Sequence, residues 1–177
     1  AARVSNTIQY TSPTWSGNNF TLSWSPGAQE AVQANSASIE TDGQIWALTW
    51  RGTFGPVYGQ LDYANVAANT SQVGIGSTQQ KGQLYKAGVS WGYHPGARVG
   101  LIWVRTSQNG ATGLLAGQTV KKDGYTLNWE HTFGNIQAMA QYGWTGDIKS
   151  CAAVNAVTCS DTSAKGFMVG GRYLLSK

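Results

Sequence analysis

Two runs of alternating side chains meet at a short turn between Tyr125 and Trp144. Rings and aliphatic residues occupy mainly every second position, with amides, threonines and Glu130 among the residues between them. A period of two places the two sets on opposite faces of a β-strand, so the stretch predicts a hairpin of two long strands. Rings near both ends of the apolar face are typical of strands that cross a bilayer. The polar set would be costly in a dry core, which favours a wet interior.

The same alternation recurs seven more times along the chain. These further predicted strands are Arg3–Tyr10, Phe20–Ser25, Trp46–Arg51, Val57–Tyr63, Tyr85–Tyr93, Arg98–Val104 and Phe167–Tyr173. The predicted long connections are Pro26–Gln44, Asn65–Gln80, Thr106–Lys122 and Thr145–Lys165, and short turns alternate with them. In an up-and-down barrel every second connection lies on the same rim. The pattern therefore predicts an all-β, transmembrane, antiparallel up-and-down β-barrel with about nine strands in this chain. In the strand from Arg98 both parities hold apolar residues, so its phase stays open.

Composition excludes several other classes of protein. The longest clear apolar run, Leu101–Val104, is far shorter than the roughly 20 residues of a membrane-spanning helix. The net charge is +4, but lysine and arginine form no basic cluster, which argues against a nucleic-acid partner. His94 and His131 are not spaced with a nucleophile or carboxylates as a triad or dyad would require. We expect no catalytic site, no metal site and no cofactor.

Charged residues of the polar parities are the candidates for the wall of a channel. The predicted pore-lining residues are Arg3, Arg51, Asp62, Lys86, Arg98, Glu130 and Arg172. Five positive and two negative charges in a narrow channel would favour anions. The alternative is that these charges pair across neighbouring strands and leave little net effect.

Two cysteines, Cys151 and Cys159, lie in the polar stretch between Lys149 and Ser163. An even pair so close together is compatible with a disulfide that stiffens a loop in an oxidising compartment. Two unpaired thiols remain the alternative. The spacing does not resemble a zinc site, which draws four ligands from clustered cysteine or histidine.

Six of the tryptophans on the apolar parities separate two kinds of barrel. They are Trp46, Trp50, Trp91, Trp103, Trp129 and Trp144. In a membrane barrel these rings face lipid or the interfacial girdles. In a soluble ligand-binding barrel of the avidin or lipocalin kind they would point inward onto a ligand. A third possibility is an outer-membrane barrel that acts through its loops as an adhesin or structural anchor.

Both ends of the chain resemble a known family. Arg3–Pro13, which ends in a Tyr-x-Ser-Pro turn, and Gly171–Lys177, with its Tyr-x-Leu-Ser-Lys ending, are similar to segments of the general trimeric, 16-stranded porins of the Gram-negative outer membrane. The resemblance implies passive diffusion of small hydrophilic solutes and ions. It also implies a homotrimer and contact with the bilayer and lipopolysaccharide. In that family the two motifs lie in the middle-to-late portion. Residues 1–177 are therefore expected to form one partial barrel domain that lacks the opening strands with the constriction loop, and the last strands.

Overall fold

A computed structural model describes residues 7–25, 44–72, 75–109, 119–149 and 161–175. Nine strands are formed: β1 (Ile8–Thr11), β2 (Asn18–Ser25), β3 (Gln44–Phe54), β4 (Val57–Gln72), β5 (Ile75–His94), β6 (Ala97–Asn109), β7 (Thr119–Phe133), β8 (Ile136–Thr145) and β9 (Ala164–Tyr173). They build one sheet in sequence order, and every neighbouring pair is antiparallel. The predicted all-β, up-and-down architecture is confirmed. Within the described residues, β1 and β9 are the two edges of an open sheet.

The cross-strand register gives the sheet an apolar face and a polar face. Directly paired residues share a face, and pairs such as Leu22 with Leu48 and Leu101 with Leu127 build the apolar one. The pairing of Trp103 with Tyr125 resolves the phase of β6, since Val99, Leu101 and Trp103 all lie on the apolar face. The alternate residues, among them Thr49 and Asn128, build the polar face.

Exposure indicates which way the sheet curves. In β2 and the first half of β3, side chains of the apolar face are exposed, whereas most side chains of the polar face are half-buried or buried. A curved sheet crowds the side chains on its concave side and spreads those on its convex side. The sheet therefore curls toward its polar face. Apolar side chains as large as Trp91 and Leu61 are left more than half exposed on the outside.

Short turns join three of the hairpins. The β3–β4 turn is Gly55-Pro56 and the β7–β8 turn is Gly134-Asn135, and both glycines have φ of +58°. A two-residue turn with positive φ at its first position matches the twist of the flanking strands, and glycine adopts that φ without strain. Pro95-Gly96 joins β5 to β6. We refer to this edge of the sheet as the turn end and to the opposite edge as the loop end.

One predicted long connection is wrong, and a second, Thr106–Lys122, is shorter than predicted because β6 continues to Asn109 and β7 begins at Thr119. The sequence predicts a loop over Asn65–Gln80, yet β4 continues to Gln72 and β5 begins at Ile75. Asn65 through Thr70 pair with Gln83 through Thr78, so these two strands form a hairpin that extends the sheet at its loop end. Its sequence does not alternate between apolar and polar residues, because a strand needs that alternation only where one face of the sheet is apolar. The backbone hydrogen bonds of an antiparallel ladder hold this extension in register.

Two glycines make room for one of the large rings on the apolar face. Gly52 and Gly59 are register partners, and the indole of Trp50 lies close to both. Trp50 Nε1 donates a hydrogen bond of 3.2 Å to Asn18 Oδ1. The Trp50 ring thus covers the backbone of the two glycines, which have no side chains, and its hydrogen bond to Asn18 links β3 to β2.

No helix within the described ranges is long and apolar enough to cross a membrane.

Candidate functional site

The polar face holds every predicted pore-lining residue that the structure describes. These residues are Arg51, Asp62, Lys86, Arg98, Glu130 and Arg172. The register places them on one face, because Arg98 pairs with Glu130 and Asp62 pairs with Lys86. Arg51 and Arg172 occupy the alternate positions of their strands that lie on the same face. Arg3 lies outside the described residues.

A hollow of about 480 Å³ lies on the concave side of the sheet. It reaches from Tyr58 on β4 to Gly170 on β9, and both Arg98 and Glu130 contribute to its wall. Amide side chains contribute too, together with the apolar Ile102, Met139 and Met168; the amides are Gln60, Asn128 and Gln141. The wall therefore offers charges, hydrogen-bond donors and hydrogen-bond acceptors to a solute inside the curve.

Arg98 and Glu130 face each other across β6 and β7 without forming an ion pair. They are direct register partners, yet no contact of 4 Å or less between their charged atoms is present among the described residues. Arg98 is exposed and Glu130 is half-buried. Both charges therefore remain available to a solute in the hollow.

Asp62 and Lys86 behave differently, because they neutralise each other. Lys86 Nζ lies 3.4 Å from Asp62 Oδ2, and Gln60 Nε2 donates a 2.7 Å hydrogen bond to the same oxygen. Their side chains are 32% and 16% exposed. For this pair the alternative interpretation, pairing across neighbouring strands, is the one that the structure supports.

The other four charges collect near the turn end. Arg51 precedes Gly55 by four residues, Glu130 precedes Gly134 by four, and Arg98 follows Gly96 by two. Arg172 pairs with Gln137, which follows the same β7–β8 turn. At about 3.3 Å per residue, all four lie within roughly 13 Å of the turn end. Three positive charges and one negative charge give this part of the polar face an excess of positive charge.

A charged cluster on the apolar face was not predicted. Asp123 is only 4% exposed and sits at the loop end of β7. Arg105 donates to it through Nε at 2.7 Å and Nη2 at 3.1 Å, Lys149 Nζ lies at 3.2 Å, and Trp103 Nε1 donates at 3.2 Å. The guanidinium also lies 5.3 Å from the Trp103 ring centroid. Continuing the parity of Trp103 and Tyr125 outward by one step would have placed Arg105 and Asp123 together.

Lys149 reaches this cluster because the pairing of β7 with the following chain shifts by one residue. Gly124 pairs with Thr145, whereas Lys121 pairs with Lys149 through backbone hydrogen bonds of 3.0 and 2.8 Å. The extra residue is a bulge, which transfers the side chains beyond it to the other face. Lys149 therefore shares the apolar face with Lys121.

The two histidines lie together at the turn end of the apolar face. A register shift between Gly92 and His94 admits an extra residue into β5, so Tyr93 and His94 both contact His131. The imidazoles stack with centroids 5.9 Å apart and an interplanar angle of 13°. Tyr93 Oη accepts a 2.8 Å hydrogen bond from Trp129 Nε1 and lies 3.0 Å from His131 Nδ1. Asp62 and Glu130 lie on the opposite face, so the fold does not join histidine and these carboxylates in a catalytic arrangement.

The predicted disulfide residues, Cys151 and Cys159, lie outside the described residues. The chain on either side of them is tied together: Ser163 N donates to Asp147 Oδ1 at 2.8 Å, and Ile148 N donates to Thr162 Oγ1 at 2.8 Å. The two ends of this connection are therefore adjacent at the loop end of β8 and β9.

All six tryptophans expected on the apolar side lie on the apolar face, as register pairs such as Trp24 with Trp46 and Tyr125 with Trp144 require. Within the described ranges, no group of three or more histidine, cysteine, aspartate or glutamate residues is placed to hold a metal ion.

Comparison with known proteins gives one family. The sequence model of a family described as "Gram-negative porin" matches residues 1–177. A search of curated proteins finds no match.

Proposed function

The chain belongs to the Gram-negative porins, and on that premise we propose that its polar face lines a water-filled channel for passive diffusion of small hydrophilic solutes and ions, with a mild preference for anions. The family itself indicates an outer-membrane channel rather than an enzyme. The proposal assigns the solute path to the concave side and the lipid contact to the convex side.

The observation that carries the anion preference is the unequal pairing of charges on the polar face. Asp62 is neutralised by Lys86, whereas Arg51, Arg98 and Arg172 have no ion pair with any described residue. Among the residues that the structure describes, Glu130 is the one negative charge near them at the turn end. A positive excess on a curved, partly desolvated wall raises the local concentration of anions.

Two bands of rings on the convex face support the membrane orientation. Tyr63, Tyr85 and Tyr125 lie toward the loop end, while Trp91 and Phe133 lie toward the turn end. Tyr125 and Phe133 are eight residues apart on β7, or roughly 26 Å along the strand, and a tilt of about 40° reduces the separation across the bilayer to roughly 20 Å. Aliphatic residues such as Leu127 and Leu101 occupy the band between them. In porins the long loops face outward.

The nine strands are best understood as part of a larger closed barrel. β1 and β9 leave open edges in the described sheet, and unpaired backbone groups at an edge are expensive in lipid. Further strands that pair with both edges would complete the wall. Family membership supports assembly into a homotrimer and contact with lipopolysaccharide. A single nine-stranded chain as the mature unit would contradict this part of the proposal.

Ion selectivity of the full-length porin in a planar bilayer tests the channel assignment. Under a salt gradient we expect a zero-current potential of the sign that marks anion preference. Replacing Arg51, Arg98 and Arg172 together by glutamine should abolish or reverse that preference, because Glu130 then remains as the local charge. Conductance itself should persist.

Lys165→Gln is the control for loss of a positive charge outside the proposed channel, since Lys165 lies on the apolar face opposite Trp144. It should leave selectivity unchanged. Cation preference in the parent protein, or an equal effect of Lys165→Gln and the arginine variants, would contradict the assignment of the polar face to the channel. A barrel that conducts no ions would instead support a structural or adhesive role.

A further inference from the structure

The chain has two histidines, and the fold brings them together at the turn end of the apolar face. His94 ends β5 and His131 lies on β7, so β6 runs between them. Strands two positions apart in a sheet are separated by roughly 9.6 Å. The centroids of the two imidazoles are nevertheless only 5.9 Å apart. The two rings therefore lean toward each other across β6.

A small residue on β6 lets the two imidazoles approach. Ala97 is the register partner of both His94 and His131, and its side chain ends at Cβ. Ala97 is only 4% exposed. The register shift between Gly92 and His94 sets the position of His94 opposite Ala97. The backbone of three neighbouring strands thus holds the histidine pair in place, which lowers the entropy lost when both rings bind one ligand.

Hydrogen bonds at Nδ1 determine the state of the other ring nitrogen, Nε2. His94 Nδ1 lies 2.9 Å from Pro95 O. Because a carbonyl oxygen only accepts, Nδ1 carries the hydrogen and Nε2 of the neutral ring has a free lone pair. His131 Nδ1 lies 3.0 Å from Tyr93 Oη, which accepts a 2.8 Å hydrogen bond from Trp129 Nε1. A hydrogen bond donated by His131 Nδ1 to this oxygen leaves Nε2 of His131 free in the same way. Histidines that bind metals are oriented by such hydrogen bonds at the nitrogen that does not bind.

The distance between the rings matches that of two imidazoles on one metal ion. Metal–nitrogen bonds of about 2.0–2.1 Å, with ring nitrogens about 1.1 Å from the centroid, place two centroids about 4.5 Å apart at a bond angle of 90° and about 6.3 Å apart at 180°. The observed 5.9 Å lies within this range. The Phe133 ring is closer, with its centroid 4.1 Å from that of His131. The two imidazoles are therefore spaced for a shared ion and not for full contact between ring faces.

From this arrangement we propose that His94 and His131 together bind one divalent transition-metal ion through Nε2, with water in the remaining coordination positions. His94 is exposed and His131 is half-buried, so an ion reaches the pair from solvent. Imidazole suits Cu²⁺, Ni²⁺ and Zn²⁺, and Cu²⁺ binds tightest of these. The sequence predicts no metal site, because it places His94 outside the strand Tyr85–Tyr93. The site lies on the convex wall, apart from the solute path that the proposed function assigns to the concave side.

Binding of Cu²⁺ to the full-length porin in detergent tests the site. Titration calorimetry measures the affinity, and electron paramagnetic resonance counts the imidazole nitrogens bound to the ion. The difference between the parent and the variant that carries both His94→Gln and His131→Gln isolates this site from any other. We expect that difference to be one ion per chain with two imidazole nitrogens. Either single variant should weaken binding of this ion about a hundredfold and leave one nitrogen, because it removes one of two protein ligands. Excess Mg²⁺, which prefers oxygen ligands, should not displace the ion.

Tyr93→Phe tests whether the hydrogen bond to Tyr93 Oη orients His131. It keeps the aromatic ring and removes the oxygen, so we expect Cu²⁺ to bind about tenfold more weakly while two nitrogens remain bound. Tyr142→Phe is the matched control, because Tyr142 is a similarly exposed tyrosine on the same face, opposite Leu127. It should leave the affinity for Cu²⁺ unchanged.

Unchanged affinity for Cu²⁺ in both single variants, or a single imidazole nitrogen on the ion that the double variant loses, would overturn the proposal. Two ions per chain, one lost with each histidine, would also overturn it, because each imidazole would then bind alone. Single-channel conductance is recorded on the same preparations as a measure of correct folding. Loss of the ion from variants with normal conductance supports the site.

Discussion

Gly52→Ala is a glycine replacement that the sheet should tolerate poorly, because Trp50 lies over that position. A Cβ at residue 52 would stand 2.6 Å from Trp50 Cζ2, 2.5 Å from Asn18 Oδ1 and 3.0 Å from Phe54 Cε2. Ordinary contacts begin at 3.4 Å, so the indole must move by about 0.8 Å or the strands must separate. Either movement disturbs the 3.2 Å hydrogen bond from Trp50 Nε1 to Asn18.

The expected loss of stability has two contributions, the steric clash with Trp50 and the disturbed hydrogen bond to Asn18. Overpacking a filled position costs about 1–3 kcal/mol, and loss of one hydrogen bond adds about 1 kcal/mol. We therefore expect Gly52→Ala to lower the free energy of unfolding by about 2–4 kcal/mol. At Gly59 a Cβ would meet only the Trp50 ring, at 3.2 Å, so the ring moves by a few tenths of an ångström. Gly59→Ala should change stability by less than about 1 kcal/mol, since alanine also reduces the entropy of the unfolded chain.

Equilibrium unfolding of the full-length porin in lipid vesicles, followed by tryptophan emission against denaturant, measures these differences. Gly166→Ala is the control, because no atom lies within 4 Å of the Cβ that it would add. The cost of Gly52→Ala should fall in a Trp50→Ala background, where the colliding ring is absent. Equal midpoints for Gly52→Ala and Gly166→Ala, or an undiminished cost without Trp50, would refute the steric account.

Three further outcomes are expected. Glu130→Gln should raise the anion-to-cation permeability ratio in planar bilayers, because it removes the negative charge nearest the turn-end arginines; an unchanged ratio would place Glu130 away from the ion path. Lys86→Gln should destabilise the barrel by about 1 kcal/mol by leaving Asp62 without its cation, and adding Asp62→Asn should recover part of that loss in the same unfolding assay. Reduction of any bridge between Cys151 and Cys159 should leave single-channel conductance unchanged, and a large fall would tie that connection to transport.

The alternation of apolar and polar side chains predicted most of the fold because the two faces of each strand lie in different surroundings. Between Tyr125 and Trp144 one face of each strand is apolar throughout, and a shift of one residue would reverse every side chain. The hairpin, the strand count and the apolar position of the tryptophans followed from that constraint. The phase of β6 did not, because Ile102 and Val104 are apolar residues on its polar face.

Polar extensions and bulges escaped prediction for a related reason. Asn65–Gln80 carries no apolar face, so its pairing depends on backbone hydrogen bonds that any sequence can form. The extra residue that places both Tyr93 and His94 beside His131 is likewise a property of the backbone. Parity counting assumes an unbroken period and therefore could not predict the histidine stack.

Part of the charged cluster around Asp123 could have been predicted from the sequence. Arg105 and Asp123 continue the parities of Trp103 and Tyr125, but they lie at the two ends of the predicted connection Thr106–Lys122, outside the predicted strands. Lys149 could not have been placed, because its face depends on the bulge. For the six described charges of the polar face, the alternation in the sequence predicts a shared face, whereas the neutralisation of Asp62 by Lys86 required the register.

The pairings Gly124–Thr145 and Lys121–Lys149 differ by one residue in register. The number of residues between Thr145 and Lys149 therefore decides on which face of the sheet the Lys149 ammonium lies. Gain of one residue between Thr145 and Lys149, with the present offset kept, would pair Lys149 with the neighbour of Lys121, Val120, and turn its ammonium from the outer wall toward the mouth of the barrel. A single-codon insertion would thereby exchange a lipid contact for a cation at the entrance. Variation in the length of the segment between Thr145 and Lys149 would therefore change permeation without replacing any residue that lines the channel.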